Sequence, residues 1–368
     1  MKLNRRKALA LAAGSGLVAM PFVHRAKAED KILNVYNWAD YIGETTIEDF
    51  QKATGIAVTY DTYSSTDEMQ AKMLAGSTGY DVVDMAGISL SRFVAAGIYQ
   101  KLDKSKLPNS KNLDPEIMNI LQGFDPGNEY SIPYMWGSVG FTYNADMVKE
   151  RLSDVDLESL DLVMKPENAQ KLADCGISWL DEPTDVIMLL LDYLGKPRNT
   201  YAPDDLKAVI EAFKAIRPTV RTFDSTNYLN ALPNKELCVA NNWSGDYSTA
   251  KARAKEAGVD INLAYFVPKT GAPAWFDVFC IPADAKNVGN AHTFLNYMME
   301  PEVIAKCTNF TNYANANIAA KQFVDPEVLA NPAVYPSEDV MKRLWTPKPL
   351  TEENDRALTE TFNAMKAG

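Results

Sequence analysis

Apolar and polar positions alternate with period two through Leu33-Asn34-Val35-Tyr36-Asn37-Trp38. That spacing puts Leu33, Val35 and Asn37 on one face of a strand and Asn34, Tyr36 and Trp38 on the other. The run stops on Ala39-Asp40-Tyr41, and a helical period follows from Thr45 or Thr46 to Gly55, a residue type that closes helices in the left-handed conformation. Ile56–Tyr60 predicts a second strand, and Asp67–Ala75 a helix capped by Ser65 and ended at Gly76. Asp81–Met85 and Ser89–Ala96, stopped by Gly97, repeat the unit. The alternation βαβαβα with short joints predicts a parallel sheet covered by helices.

Farther along, the pattern changes. Lys101–Gly127 is punctuated by proline and asparagine and reads as surface chain. Tyr130–Gly137 followed by Val139–Asn144 is too long for an ordinary strand, and Gly137 and Gly140 inside it suit a chain passing from one domain to another. Leu263–Gly271 is a second crossing candidate. Between them the periods predict helices over Asp185–Leu194, Pro203–Ile216 and Tyr247–Ala257, with strands near Ile177–Leu180 and Leu237–Ala240. From Ala314 the chain is Pro-rich, with one closing helix near Glu353–Lys366. Two lobes are expected, 29–136 plus 268–312 and 137–267 plus 313–368, behind a leader over 1–28.

The leader has a basic start, Met1-Lys2-Leu3-Asn4-Arg5-Arg6-Lys7, an apolar stretch from Ala8 to Val23, and a small-x-small end at Ala26-Lys27-Ala28. This pattern predicts a cleaved secretory signal peptide, not a span. Arg5-Arg6 leaves both the general and the twin-arginine export routes open. No cysteine lies near the cleavage point to carry a lipid, so the expected location is the periplasm. Cleavage leaves 340 residues and, from a chain of formal charge −11, removes six Lys/Arg and no acid, giving −17. A chain so acidic repels nucleic acid and anionic membrane and gathers cations. No later run is long and apolar enough to insert in a bilayer.

Cys175, Cys238, Cys280 and Cys307 allow three pairings, which spacing does not resolve, and none of the spacings resembles a zinc site. His24 leaves with the leader, so His292 would alone serve any His-dependent mechanism, and it sits in a helical period as a surface or core-edge residue. No catalytic residue, metal ligand or cofactor is expected.

Aromatics recur beside carboxylates at element ends: Trp38-Ala39-Asp40, Trp179 through Asp185, Trp243-Ser244-Gly245-Asp246 and Trp275-Phe276-Asp277, with Tyr134-Met135-Trp136 lacking the acid. Capping accounts for Asp185 or Asp246 singly, but capping does not require a tryptophan within three residues each time. The pairing suits an organic cation, whose ammonium ends need carboxylates and whose alkyl chain is covered by ring faces. Carboxylates at both ends of an aromatic slot select a diamine over a monoamine.

The stretches Asn37–Ile42, Met73–Asp81, Leu102–Pro108, Asn112–Pro115, Ile132–Gly137, Lys165–Asn168, Pro282–Lys286 and Tyr313–Asn317 resemble, in order over nearly the whole mature chain, the periplasmic polyamine-binding proteins, and most closely the putrescine-binding type. The resemblance implies an α/β type II periplasmic binding protein fold. Its two lobes are each a mostly parallel sheet flanked by helices, and the cleft lies between them. It implies a monomer that hands a small amine to an inner-membrane ABC permease. By the same resemblance Trp38, Trp243, Trp275 and Tyr313 form an aromatic box, Asp40, Asp185, Asp246 and Asp277 receive the amines, and Cys175 pairs with Cys238. Asp185 stands where the putrescine-binding type has Glu, which shortens its reach.

The chain departs from the family at Ala39, usually Ser, and at Asp84-Met85-Ala86, usually Val-Pro-Ser. These four are candidate specificity positions. Asp84 either adds charge to the wall, suiting a guanidinium, or points to solvent at the lobe edge. Putrescine, cadaverine, agmatine, spermidine or an acylated diamine fit the cation box. Alternatives in other classes are a glycosidase cleft, a receptor for a neutral sugar, and a ligand sensor that docks to a signalling partner.

Overall fold

Among the described residues, eleven strands join in one sheet whose two ends are parallel and whose middle is antiparallel. In chain order they are β1 (Ile32–Trp38), β2 (Ala57–Tyr63), β3 (Val82–Ala86), β4 (Ser131–Asn144), β5 (Ile177–Trp179), β6 (Val220–Phe223), β7 (Val239–Trp243), β8 (Leu263–Phe266), β9 (Ala272–Cys280), β10 (Ala314–Asn315) and β11 (Leu344–Trp345). The computed structural model describes residues 31–368. The expected signal peptide and its cleavage point lie outside the described residues. The strand order is β2-β1-β3-β9-β4-β7-β5-β6, with β8 and β10 on β4 and β11 on β9.

The first end follows the period-two reading. β1 runs parallel to β2 and β3, and Leu33 and Val35 are buried on one face while Tyr36 packs on the other. The helix Thr46–Thr54 stops on Gly55 at φ 70°, and Ser65 Oγ accepts the Glu68 N–H at 3.2 Å to start the helix Thr66–Leu74. The helix expected from Ser89 splits into a 3₁₀ turn, Gly87–Ser89, and a short helix, Leu90–Ala95.

β4 carries the crossing. Its first part pairs antiparallel with β9 and its second with β7 and β8. β8 edges β4, the chain turns over Pro268–Gly271, and β9 brings it back beside β3. The strand read at Leu237–Ala240 lies farther on, as β7, and takes in Asn241 and Asn242. Both are fully buried: Asn241 Nδ2 donates to Gly140 O at 2.9 Å, and Asn242 Oδ1 accepts from the Thr142 N–H at 2.8 Å. Their side chains bond to β4 backbone, so polar residues sit in a buried strand at no desolvation loss.

The second end packs on the helix Pro183–Tyr193, in which Val186 through Leu191 are all buried. An apolar run on every side of a helix is the mark of burial between layers, here between the sheet and the helices Pro203–Lys214 and Glu352–Ala367. Ala314–Val334, assigned to the second lobe by the sequence reading, packs instead with Leu33 and Val35, because β10 adds to the first part of β4. Cys175 and Cys238 form a disulfide at a sequence separation of 63, worth about 4 kcal/mol by chain entropy. Cys280 and Cys307 are buried free thiols. His292 is a buried structural residue, accepting the Asp103 N–H at 2.8 Å on Nε2 and leaving Nδ1–H for Val288 O at 2.7 Å.

Candidate ligand-binding cleft

The joints that follow β1, β5 and β7 and the middle of β9 meet around a cavity of about 390 Å³. Strand ends at such a crossing are where open α/β sheets place ligands. Trp38, Ala39, Asp40, Ala86, Asp185, Trp243, Asp246, Trp275, Asp277 and Tyr313 all line it. Asp84 and Met85 do not: both are fully buried beneath the wall. Neither reading of Asp84 stands, since its side chain reaches neither cavity nor solvent. It points from the inner face of β3, and Met85 fills the opposite core.

Four rings make the box. Trp38 packs edge-on to Trp243 at 6.1 Å between centroids and tilted on Tyr63 at 4.5 Å. Trp275 meets Tyr313 edge-on at 5.1 Å. Two glycines make room for these rings. A Cβ on Gly137 would lie 2.5 Å from the Trp275 ring, and one on Gly245 would lie 2.7 Å from the Tyr313 ring.

The carboxylates are held in four different ways. Asp246, in the first turn of the helix Ser244–Glu256, accepts hydroxyl hydrogens from Tyr313, at 2.6 Å, and from Tyr228. Burial still pushes it up to about 6. Asp185, in the first turn of Pro183–Tyr193, accepts the Trp243 Nε1–H at 2.7 Å and is likewise pushed by burial to about 6. Asp277, mid-strand on β9, accepts the Tyr41 hydroxyl at 2.8 Å, and burial, with Asp185 adding, raises it to about 7. Asp40 sits at φ 55°, exposed at the rim, 3.3 Å from Arg253 across the cleft mouth. Its carboxylate meets a protein cation, in contrast to the other three.

The sequence reading missed Glu182, Arg253, Tyr41 and Tyr228 as participants. Glu182 lines the cavity with one carboxyl oxygen unpartnered among the described residues, and burial, with Asp185 adding, raises it to about 8. Its place just before Pro183 reads as a helix start, which hides the side chain's direction. Arg253 is the one Lys, Arg or His among the cavity-lining residues, against Asp40, Asp67, Glu182, Asp185, Asp246, Asp277 and Asp355. A surplus of carboxyls on aromatic walls stabilises a bound cation by charge and by ring quadrupole. No group of three or more His, Cys, Asp or Glu suited to a metal occurs among the described residues.

Residues 45–336 match the family model of the bacterial extracellular solute-binding proteins. The chain is 47% identical over 342 residues to a putrescine-binding periplasmic protein of Pseudomonas aeruginosa, covering 93% of each. It is 44% identical over 368 residues to the putrescine-binding periplasmic protein of Escherichia coli, covering 100% of this chain and 99% of that one. A solved spermidine/putrescine ABC transporter substrate-binding protein of Streptococcus pneumoniae superposes with a TM-score of 0.75 at 28% identity, over 92% of this chain and 99% of that one. The fold is the two-lobed periplasmic binding protein fold.

Proposed function

Because the chain belongs to the bacterial extracellular solute-binding proteins, we propose that it captures a small polyamine, a putrescine-like diamine first, and delivers it to an ABC importer. It is a binding protein and not an enzyme. The observation that carries this reading is the charge balance of the cleft: one cation against seven acids around edge-packed aromatic rings. Each ammonium group loses water on entry. Asp185 and Asp246 on one wall and Asp277 on the other replace it, and Trp38, Trp243 and Trp275 cover the alkyl chain. The relatives that carry the putrescine name support the ligand class. A relative in Pseudomonas aeruginosa, 36% identical, is named a putrescine/agmatine-binding protein, which keeps a guanidinium end in the panel.

Glu182 favours a second reading, a longer triamine. Its unpartnered oxygen is a further receptor for an ammonium group beyond the three aspartates. Capture closes the cleft by rotation near Gly137–Gly140 and 267–271. The first body is 29–136 and 268–312 with the segment packed on it, and the second is 137–267 with the closing helix. The mature protein works as a monomer in the periplasm after its leader is removed.

The test is calorimetry of the mature chain, unfolded and refolded to strip any bound amine, against putrescine, cadaverine, agmatine, spermidine and γ-aminobutyrate. The expected result is a Kd of micromolar or better for one of the four polycations, on the order of −8 kcal/mol, and no heat with γ-aminobutyrate. Heat with γ-aminobutyrate alone would overturn the reading.

A further inference from the structure

The helix Pro183–Tyr193 carries an acid near each end. Asp185, in its first turn, lines the cleft, and Asp192, in its last turn, does not. Seven residues apart, the two lie on one face of the helix, about 10 Å from each other along its axis. An aspartate in a last turn works against the helix dipole, and no ligand contact accounts for it. Its side chain is 9% exposed, and both oxygens are engaged. Oδ1 accepts the Arg198 Nε–H at 3.1 Å, and Oδ2 accepts Arg198 Nη2–H at 3.3 Å and the Trp345 Nε1–H at 3.0 Å. The Arg198 guanidinium also lies over the Trp345 ring, 5.2 Å from its centroid.

These partners sit on two chain crossings. Residues 314–334 pack on the first end of the sheet and the closing helix on the second. The chain therefore passes between the two ends over 335–351, with Trp345 on the way in β11. β11 runs parallel to the start of β9, Leu344 beside Ala272 and Trp345 beside Pro273. The crossing over 268–271 ends directly on the ion pair. A Cβ on Gly271 would lie 2.7 Å from Arg198 Nη2 and 2.8 Å from Asp192 Oδ2, so this close approach needs a glycine. Asn199, next to Arg198, accepts the Lys348 N–H at 2.7 Å and holds the later crossing a second time. Just beyond these contacts is the floor of the cavity, where Pro273, Ala274 and Trp275 of β9 and Pro347 after β11 line it.

We propose that Asp192 is a positioning residue for the ligand: with Arg198 and Trp345 it clasps both crossings to the helix that bears Asp185, and so fixes the span between Asp185 and Trp275. The carboxylate that receives an ammonium group and the ring that covers the alkyl chain come from different ends of the sheet. A contact outside the cleft holds them at one spacing before the ligand arrives, which lowers the ordering cost of capture. A ligand one methylene longer fits only if the crossings slide against the helix, and the clasp resists that movement. The role in ligand fit rests on the polyamine reading, whereas the clasp itself does not.

Hydrogen exchange of the ligand-free mature chain reads the clasp first, in the parent, Asp192→Ala, Asp192→Asn and Trp345→Phe. Backbone amides over 269–275 and 343–348 are expected to exchange about tenfold faster or more in Asp192→Ala and in Trp345→Phe, which keeps the ring and loses only the N–H. Asparagine retains an acceptor for the indole, so Asp192→Asn is expected to stay within about threefold of the parent. Unchanged exchange in both Asp192→Ala and Trp345→Phe overturns the proposal. Calorimetry then gives Kd for putrescine and for cadaverine. Without the clasp, putrescine is expected to bind about tenfold more weakly, and the ratio of the two Kd values to move about threefold or more towards one. A residue that served stability alone would lower Tm and leave that ratio where it was, so an unchanged ratio in the faster-exchanging variants overturns the proposal. If exchange rises as expected and no amine in the panel gives heat with the parent, the clasp stands and the polyamine reading fails.

Discussion

The two walls of the cleft carry the same residue types on different supports. On the wall built from β5 and β7, Asp185 and Asp246 sit in first turns of helices. There the exposed N–H groups and the macrodipole favour a negative charge. Trp243, Tyr228 and Tyr313 add direct hydrogen bonds. On the wall built from β1, β3 and β9, Asp277 lies mid-strand, where no dipole helps, with one hydroxyl from Tyr41. Burial raises both sets, yet Asp185 and Asp246 stop at about 6 while Asp277 reaches about 7. Asp277 has the Tyr41 hydroxyl and the added charge of Asp185, whereas Asp246 has two hydroxyl donors and the Arg253 charge to hold it down. The supports differ in covalent chemistry as well. The first wall stands on a half clamped by Cys175–Cys238, whereas the second wall's half contains only free, buried Cys280 and Cys307.

The largest effect expected is on that clamp. Replacing Cys175 and Cys238 together by Ser should lower unfolding free energy by about 4 kcal/mol in denaturant melts. Reductant should do the same to the parent. Because the clamp lies far from the cleft in the half-core under β5, affinity for the amine at 25 °C should change less than threefold.

Next comes the better-supported acid. Asp246→Ala strands two buried tyrosine hydroxyls and an incoming ammonium group, a loss on the order of 3 kcal/mol and hence roughly a hundredfold in Kd by calorimetry. Asp277→Asn keeps the shape and the Tyr41 contact, so its loss should be smaller, about tenfold. Equal losses would remove the distinction between the walls.

The pH profile follows from the same values. Asp185 and Asp246 at about 6, Asp277 at about 7 and Glu182 at about 8 must be ionised to hold ammonium groups. Affinity should thus fall at least tenfold from pH 8 to pH 5.5. For stability the sign is opposite. These acids are raised on folding, so their contribution is complete below about pH 4 and is lost as pH rises through 6 to 8. A bound amine offsets that loss, and the gain in Tm on adding putrescine should be larger at pH 8 than at pH 5.5. A Tm gain independent of pH would mean that the acids stay charged without ligand.

Much of this arrangement was legible in the chain. β1 to β3 and their helices were visible because each buries one face at a clean period and ends on a residue with a local role, such as Ser65 or Gly55. The ends of β7 were not, because Asn241 and Asn242 look like turn residues until their partners on β4 are known. β6 is four residues between a proline-bearing turn and Asp224, too short to show a period. Eight residues expected to bind ligand were read from aromatic–acid pairs and a family resemblance, and all eight line one cavity. What no local pattern carries is direction: Glu182 turns inward, Asp84 turns beneath the wall, and Asp40 turns to Arg253.

That last contact gives the smallest effect and the finest test of the two walls. Asp40 reaches across the mouth from the β1 joint to Arg253 on the opposite helix, with 73% of its side chain exposed. Exposed pairs contribute on the order of 0–1 kcal/mol and weaken with salt. Arg253 also lowers Asp246, so removing its charge should make Asp246 easier to protonate. It is at the same time the one cation lining a cleft that takes cations, so its removal relieves repulsion of the ligand. The two consequences separate by pH. In Arg253→Gln, affinity should stay within about twofold of the parent at pH 8, where Asp246 is ionised either way, and should fall several-fold below it at pH 6. Equal ratios at both pH values would show that Arg253 acts as a latch on the mouth and leaves the charge of Asp246 untouched.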